Sequence, residues 1–355
     1  MRELMEKFVC VRMVQANTMD LSRFQFNYDL TFAAFFMNAD GTFYGRYGTR
    51  SSRDEAEKDI SVEGFAAAMS GALRLHDKYP DNQRFLAGKQ PKLVAYKTPD
   101  DFPELRGKFK DTLDYQGQVA KSCLHCHQIG EQFRHVYRSA GKPIPDRELF
   151  SYPMPDVVGL TLDAMTRATV SDVSKGLPAA KAGFQVGDVL LTLDGQAILS
   201  IADVQWVLHN TADKASLPAV ILRDGKRYRL PLELPDGWRR ATDISWRVTS
   251  WDLRRIGTGG MKLEAITKAE AEAVGLDSSK TALKVLHVGQ YGAHAVAKNA
   301  GFKKGDILIS FDGRNDLSTD SQLLAYSAQN TKPGQTVAVV VRRGDKQLIL
   351  NLRMQ

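Results

Sequence analysis

One segment occurs twice. Ala179 through Gly195 and Ala297 through Gly313 both read A-G-F-x-x-G-D-[VI]-L-[LI]-[TS]-[LF]-D-G in their later part, at a constant offset. The identical positions are turn formers and core formers. Self-similarity of this kind marks duplicated domains, here of about 90–110 residues each. Gly183 and Gly301 are placed to end a short helix. Gly187-Asp188 and Gly305-Asp306 turn the chain into the next strand, and Asp194-Gly195 and Asp312-Gly313 form tight hairpin turns.

The repeat resembles PDZ domains of the HtrA type. That resemblance implies an extended peptide added as a strand to a sheet edge, with backbone N–H groups of a preceding loop holding a terminal carboxylate. The matching loops are Gly159-Leu160-Thr161-Leu162 and Gly260-Met261-Lys262-Leu263, with Leu160 and Leu162 setting the apolar side of the first pocket and Met261 and Leu263 that of the second. The facing helices are 200–210, with Ile201, Val204 and Leu208 on one face, and 319–328, opened by Thr319 with Gln322 at capping-box spacing. An extra helix former, Thr267 to Gly275, distinguishes the second copy. No Gly-x-Ser-x-Gly elbow appears, and the seven histidines show no triad pattern, so a protease is not expected.

Two of the three cysteines lie in Cys123-Leu124-His125-Cys126-His127. C-x-x-C-H is the spacing that attaches a c-type haem: two thiols reach the porphyrin vinyls and the histidine lies under the iron. The expected cofactor is therefore covalent haem c on Cys123 and Cys126 with His127 as axial ligand. Met154, held between Pro153 and Pro155, is the expected sixth ligand, with His135 or an open position as alternatives. Competing readings are a thiol–disulfide couple, a zinc site with His135, and two inert cysteines.

Residues 1–90 resemble part of a thioredoxin-like fold. Phe8–Val14, Thr31–Met37 and Thr42–Gly48 read as strands, Asn38–Gly41 as the hairpin turn, and Ser61–His76 as a helix. Leu30 stands where that family has its cis-proline, and no dithiol lies in this stretch; Cys10 falls inside the first expected strand. The expected organisation is α+β and multidomain: a partial thioredoxin-like domain (1–90), a linker and short helical haem segment (91–156), and two PDZ domains (157–237 and 238–355). The whole arrangement resembles a family of thioredoxin-like/PDZ domain-containing (seleno)proteins.

Composition adds exclusions. Net charge is +7, yet no dense Lys/Arg block or aromatic-interleaved basic stripe suggests nucleic acid. No apolar run approaches the roughly 18 residues of a membrane span. Residues 1–7 show no apolar signal core, so the extracytoplasmic setting that haem c requires implies a longer natural chain. The resulting expectation is an extracytoplasmic, redox-linked protein-recognition protein, with peptides and a redox protein as partners. A non-redox scaffold or quality-control adaptor and a thiol oxidoreductase using Cys123 and Cys126 are the alternatives.

Overall fold

The computed structural model describes residues 1–52, 58–277 and 279–355. In chain order the elements begin with helix α1 (Arg2–Met5), strands β1 (Ala34–Met37) and β2 (Phe43–Tyr47), and helices α2 (Val62–His76), α3 (Gln83–Leu86), α4 (Val119–Ser122), α5 (Cys126–Ser139) and α6 (Asp146–Leu149). The first repeat contributes β3 (Leu160–Leu162), β4 (Val170–Val173), α7 (Pro178–Ala182), β5 (Val189–Leu193), β6 (Gln196–Ala197), α8 (Ile201–Asn210), β7 (Ala215–Arg223) and β8 (Lys226–Leu234). The second contributes α9 (Ser250–Thr258), β9 (Met261–Ala265), α10 (Lys268–Ala273), β10 (Leu283–Val288), α11 (Val296–Asn299), β11 (Ile307–Phe311), α12 (Asp320–Asn330), β12 (Thr336–Arg343) and β13 (Lys346–Arg353). The fold is α+β, and the chain forms two compact units: residues 1–129 with 150–242, and residues 130–149 with 243–355.

In the first unit, β1 and β2 pair antiparallel as a two-stranded ribbon. Asn38 N–H donates to Thr42 O at 2.8 Å to close the turn. Helix α2 starts where its sequence dictates: the Ser61 hydroxyl accepts the Gly64 N–H at 2.9 Å. The ribbon and α2 bury Phe36, Tyr44, Tyr47, Ala68, Met69 and Ala72 together with Leu199, a residue of the first repeat. Gly45 on β2 and Gly71 on α2 make the space for Leu199. A Cβ on either would lie 2.7 Å from a Leu199 methyl carbon.

The thioredoxin-like expectation is corrected here. Phe8–Val14 forms no strand, and Val9, Val11 and Val14 are exposed. The ribbon has two strands, too few for the central sheet of that fold. The β-branched run had no amphipathic partner to pair with, so its propensity alone did not make a strand.

The two repeats share one architecture. In the second, five antiparallel strands run in the order β13-β12-β11-β10-β9. In the first, β6-β5-β7-β8 and β3-β4 are two sheets, linked by a bridge between Thr169 and Val189. Gly183 and Gly301 take φ of +90° and +94° after α7 and α11, where a side chain would be strained. The Asp-Gly pairs 194–195 and 312–313 both have positive φ, as two-residue hairpin turns require.

The repeat aspartates do more than turn the chain. Asp188, wholly buried, receives Arg223 Nε at 2.6 Å and Nη2 at 2.7 Å, and Arg223 Nη2 also donates to Gly183 O at 2.8 Å. In the second copy, Arg343 makes the same bidentate pair to Asp306 (2.6 and 2.7 Å) and reaches Gly301 O at 2.7 Å. Each clamp ties the helix end, the turn and the last hairpin of its domain. Removing the arginine strands a buried carboxylate. Arg223→Met and Arg343→Met should each cost about 1–3 kcal/mol in urea unfolding. Lysine should restore only part of this, because it cannot reproduce the fork.

Candidate functional site

In the first repeat, a 3-10 turn over Pro155–Val158 leads into Gly159, whose φ is +87°. Gly159 N–H donates back to Asp156 O at 2.8 Å, and Gly159 O accepts Ser174 N–H at 3.0 Å. Strand β3 follows and pairs only with β4. Leu160 and Leu162 turn inward into the core of the repeat, while Thr161 is exposed.

Helix α8 lies in the same core through Ile201, Val204 and Leu208, as the spacing requires. Its other flank is also covered. Gln205 Nε2 donates to Tyr152 O at 3.0 Å, and the His209 ring stacks on Tyr152 at 4.0 Å. Thr49 Oγ1 donates to Gln205 Oε1 at 2.7 Å. At the helix start, Asp203 accepts Leu199 N–H, Arg46 N–H and the Lys89 ammonium, the last at 2.9 Å.

In the second repeat a full helix, α9, stands before the loop. Its Arg254 carbonyl accepts both the Gly259 and the Gly260 N–H, the latter at 2.9 Å. Gly260 has φ of +93°, and a Cβ there would lie 2.0 Å from His294 O. Met261 and Leu263 are buried in the core, and Lys262 is half-buried. Strand β9 is the sheet edge, and α9 packs against both β9 and α12. Buried Arg254 holds Asp320, the first residue of α12, at 2.5 Å. Gly257 lies close to Ser327 and Leu324.

Asp252 on α9 is held by His135 Nε2 at 2.7 Å and by Arg255 at 2.8 Å. Burial pushes its carboxyl up, but the hydrogen bond and charge of His135, with Arg255, bring it below the ordinary 3.8. A depressed carboxyl contributes stability that is present above the unfolded value and lost as pH falls through the folded one. His135→Ala should therefore destabilise the second unit at neutral pH, by a cost that shrinks as pH falls through the carboxyl's range, as followed by urea unfolding at a series of pH values with circular dichroism.

The cysteine segment is arranged differently from expectation. Cys123 and Cys126 are free, half-buried thiols. Burial, with the neighbouring Cys123, pushes the Cys126 thiol up, the opposite of a reactive thiolate. Met154 packs on the core of the first repeat, and its sulfur lies 3.1 Å from the Thr49 hydroxyl oxygen, whose proton goes to Gln205. His135 is engaged with Asp252. Among the described residues no group of three or more His, Cys, Asp or Glu could hold a metal.

The pattern search missed the Arg223 and Arg343 clamps, the Lys89–Asp203 pair and the whole of α9. The arginines were detectable, since each directly precedes a hairpin turn, Asp224-Gly225 or Gly344-Asp345, in both copies. The other two carry no local signal.

Comparison with known proteins defines the repeats. Residues 169–220 and 274–354 each match a model of the PDZ domain. The chain thus has two PDZ domains in tandem, an arrangement consistent with an HtrA-type family. It is 27% identical over 196 residues to a probable periplasmic serine endoprotease DegP-like of Pseudomonas savastanoi pv. phaseolicola, covering 54% of this chain and 38% of that one. It is 27% identical over 191 residues to the periplasmic serine endoprotease DegP of Escherichia coli K12, covering 54% and 35%. The chain spans little more than a third of the length of these curated relatives. Among solved structures, the HtrA3 PDZ domain bound to a phage-derived ligand is 21% identical, covering 27% of this chain and 82% of that one, at a TM-score of 0.21.

These relatives overturn the redox expectations. They are named periplasmic serine endoproteases, so the reading as a haem electron carrier or sensor, and its scaffold and thiol-oxidoreductase alternatives, are corrected, as is the expectation against a protease. Covalent haem c on Cys123, Cys126 and His127, with Met154 as sixth ligand, is withdrawn with them. The physical reason is that the Met154 side chain is packed into the PDZ core, with its sulfur against Thr49. The zinc reading with His135 fails because that ring is committed to Asp252.

Proposed function

We propose that this chain serves extracytoplasmic protein quality control of the HtrA type. Its PDZ domains take up extended polypeptide segments and present them to serine-endoprotease activity of the kind its relatives are named for. The observation that supports this reading is the placing of β3 and β9: each is an edge strand, each follows a glycine loop, and each lies in the same core as a helix, α8 or α12. An edge strand offers backbone donors and acceptors to an incoming strand, and at β9 that strand must displace α9, which packs on both β9 and α12, and the Thr258 hydroxyl, which donates to Met261 O at 2.9 Å. The relatives' periplasmic location and the absence, among the described residues, of a helix long and apolar enough to cross a membrane agree with the setting.

The contacts proposed are backbone groups of Gly159, Leu160, Thr161 and Leu162 in the first domain, and of Gly260, Met261, Lys262 and Leu263 in the second. The leucines and Met261 shape the strand from beneath, since they face the core. Recognition of an internal segment fits the second domain better than recognition of a terminal carboxylate. The loop N–H groups of Gly259 and Gly260 already cap α9, and the C-terminal end of a helix carries partial negative charge.

Fluorescence anisotropy with a library of extended peptides, each as free acid and as amide, tests this. The expected affinity is on the order of micromolar, because ordering costs offset most of the ladder energy. Acid and amide should bind within about twofold, while N-methylation of alternate peptide nitrogens should weaken binding at least tenfold, each lost hydrogen bond counting about 0.5–1.5 kcal/mol. Absence of any binding peptide, or indifference to N-methylation, would sink strand addition. Cleavage of unfolded casein by the protein, slowed by the tightest peptide, tests the link to proteolysis; no cleavage removes that link.

A further inference from the structure

In the second unit, α9 lies along the groove between β9 and α12, where an added strand would run. Gly257 brings the helix close to α12: a Cβ there would lie 3.4 Å from the Ser327 Cβ and 3.7 Å from a Leu324 methyl carbon. Leu253 and Ile256 are buried. The rest of the contact is polar. Arg254 Nη2 holds Asp320 at 2.5 Å and also donates to Ser245 O at 2.7 Å, and the Thr258 hydroxyl reaches Met261 O at 2.9 Å.

This helix is an addition to the domain. The apolar core of the repeat takes side chains from β9 to β13, α11 and α12 and, among the described residues, none from α9. A buried ion pair is a weak source of net stability, because both charges regain water when they separate. Arg254 and Asp320 do so once the groove opens. A second element holds α9 from outside. On α5, Arg134 Nη1 and Nη2 donate to the carbonyl and hydroxyl of Thr249, the residue before α9, at 3.1 and 2.9 Å. His135 Nε2 lies 2.7 Å from Asp252 Oδ2, and Arg138 donates to Thr331 O at the end of α12. One face of α5 thus ties the start of α9 to the end of α12.

We propose that α9 is a removable plug in the peptide groove of the second PDZ domain and that α5 is the strap that keeps it there. The inference rests on the reading of this domain as a strand binder. An extended polypeptide pairs with β9 only in the fraction of molecules whose groove is open, and its apparent affinity falls by that fraction. Loosening α5 from α9 therefore raises affinity without touching a groove residue.

Hydrogen exchange of the full chain, read by mass spectrometry, tests the plug before any peptide is added. The α9 amides should exchange at least about tenfold faster than those of β12, because local release is easier than unfolding of the domain. The Cβ spacing at Gly257 and Ser327 is close to that of a disulfide. Gly257→Cys with Ser327→Cys, closed by oxidised glutathione, should remove the difference in exchange. The wild-type chain treated alike controls for Cys10, Cys123 and Cys126. A library of amidated extended peptides is then bound to each form. Gly257→Gln, which crowds Ser327 and Leu324, should bind its tightest peptide at least about tenfold more tightly than the wild type, with exchange slowed over β9 and quickened over α9. His135→Ala should tighten binding by about threefold. The cross-linked chain should show no slowing at β9, and reduction should restore it; this pair decides the matter if Gly257→Gln does not fold. Exchange of α9 at the rate of β12, or equal affinities in the wild-type and cross-linked chains, overturns the plug and leaves strand addition standing. No peptide slowing β9 in any form, Gly257→Gln included, overturns both. An unchanged affinity in His135→Ala overturns the strap.

Discussion

The buried pair between Lys89 and Asp203 holds the first unit together. Asp203 sits in the first turn of α8 and takes three donors, from Leu199, Arg46 and Lys89. Two of them come from the N-terminal region. That region has only a two-stranded ribbon and one long helix, too little to close a core alone. Leu199, pressed between Gly45 and Gly71, completes it. A buried ion pair is a poor source of net stability, but losing one member is expensive. Its effect here is to fix one register between the ribbon, the 3-10 turn Ala87–Lys89 and helix α8.

The PDZ domains show how a duplicated sequence is kept to one shape. Each uses a bidentate Asp–Arg clamp, Asp188–Arg223 or Asp306–Arg343, that joins a helix end, a turn and a distant hairpin. The apolar core gives each domain its folding energy, while the clamp specifies which loop meets which. The domains differ at the approach to the edge strand. The first is entered by a short turn beside Tyr152, the second by α9, whose Arg254 carbonyl occupies the loop N–H groups. Two copies of one fold thus present different entrances to a polypeptide.

The sequence by itself determined the repeat, its turns and its helix caps. Gly183, Gly301, Asp194-Gly195 and Asp312-Gly313 behave as their residue types demand, because positive φ is a local property. Ser61, Thr267 and Thr319 cap the helices expected of them, since a side-chain oxygen reaches an N–H only two or three residues away. The edge strands after Gly159 and Gly260 were equally legible from the duplicated pattern. The tertiary structure alone decided the rest. Phe8–Val14 has strand propensity but found no partner, Met154 was claimed by Thr49 and a neighbouring core, and Cys123 and Cys126 kept a suggestive spacing in a surrounding that raises rather than lowers the Cys126 thiol. Arg254 and Asp320 stand 66 positions apart and His135 and Asp252 117 apart, and each pair meets only on folding. Propensity and spacing are carried along the chain, whereas burial, charge balance and the commitment of a side chain to one partner depend on what folding brings beside it.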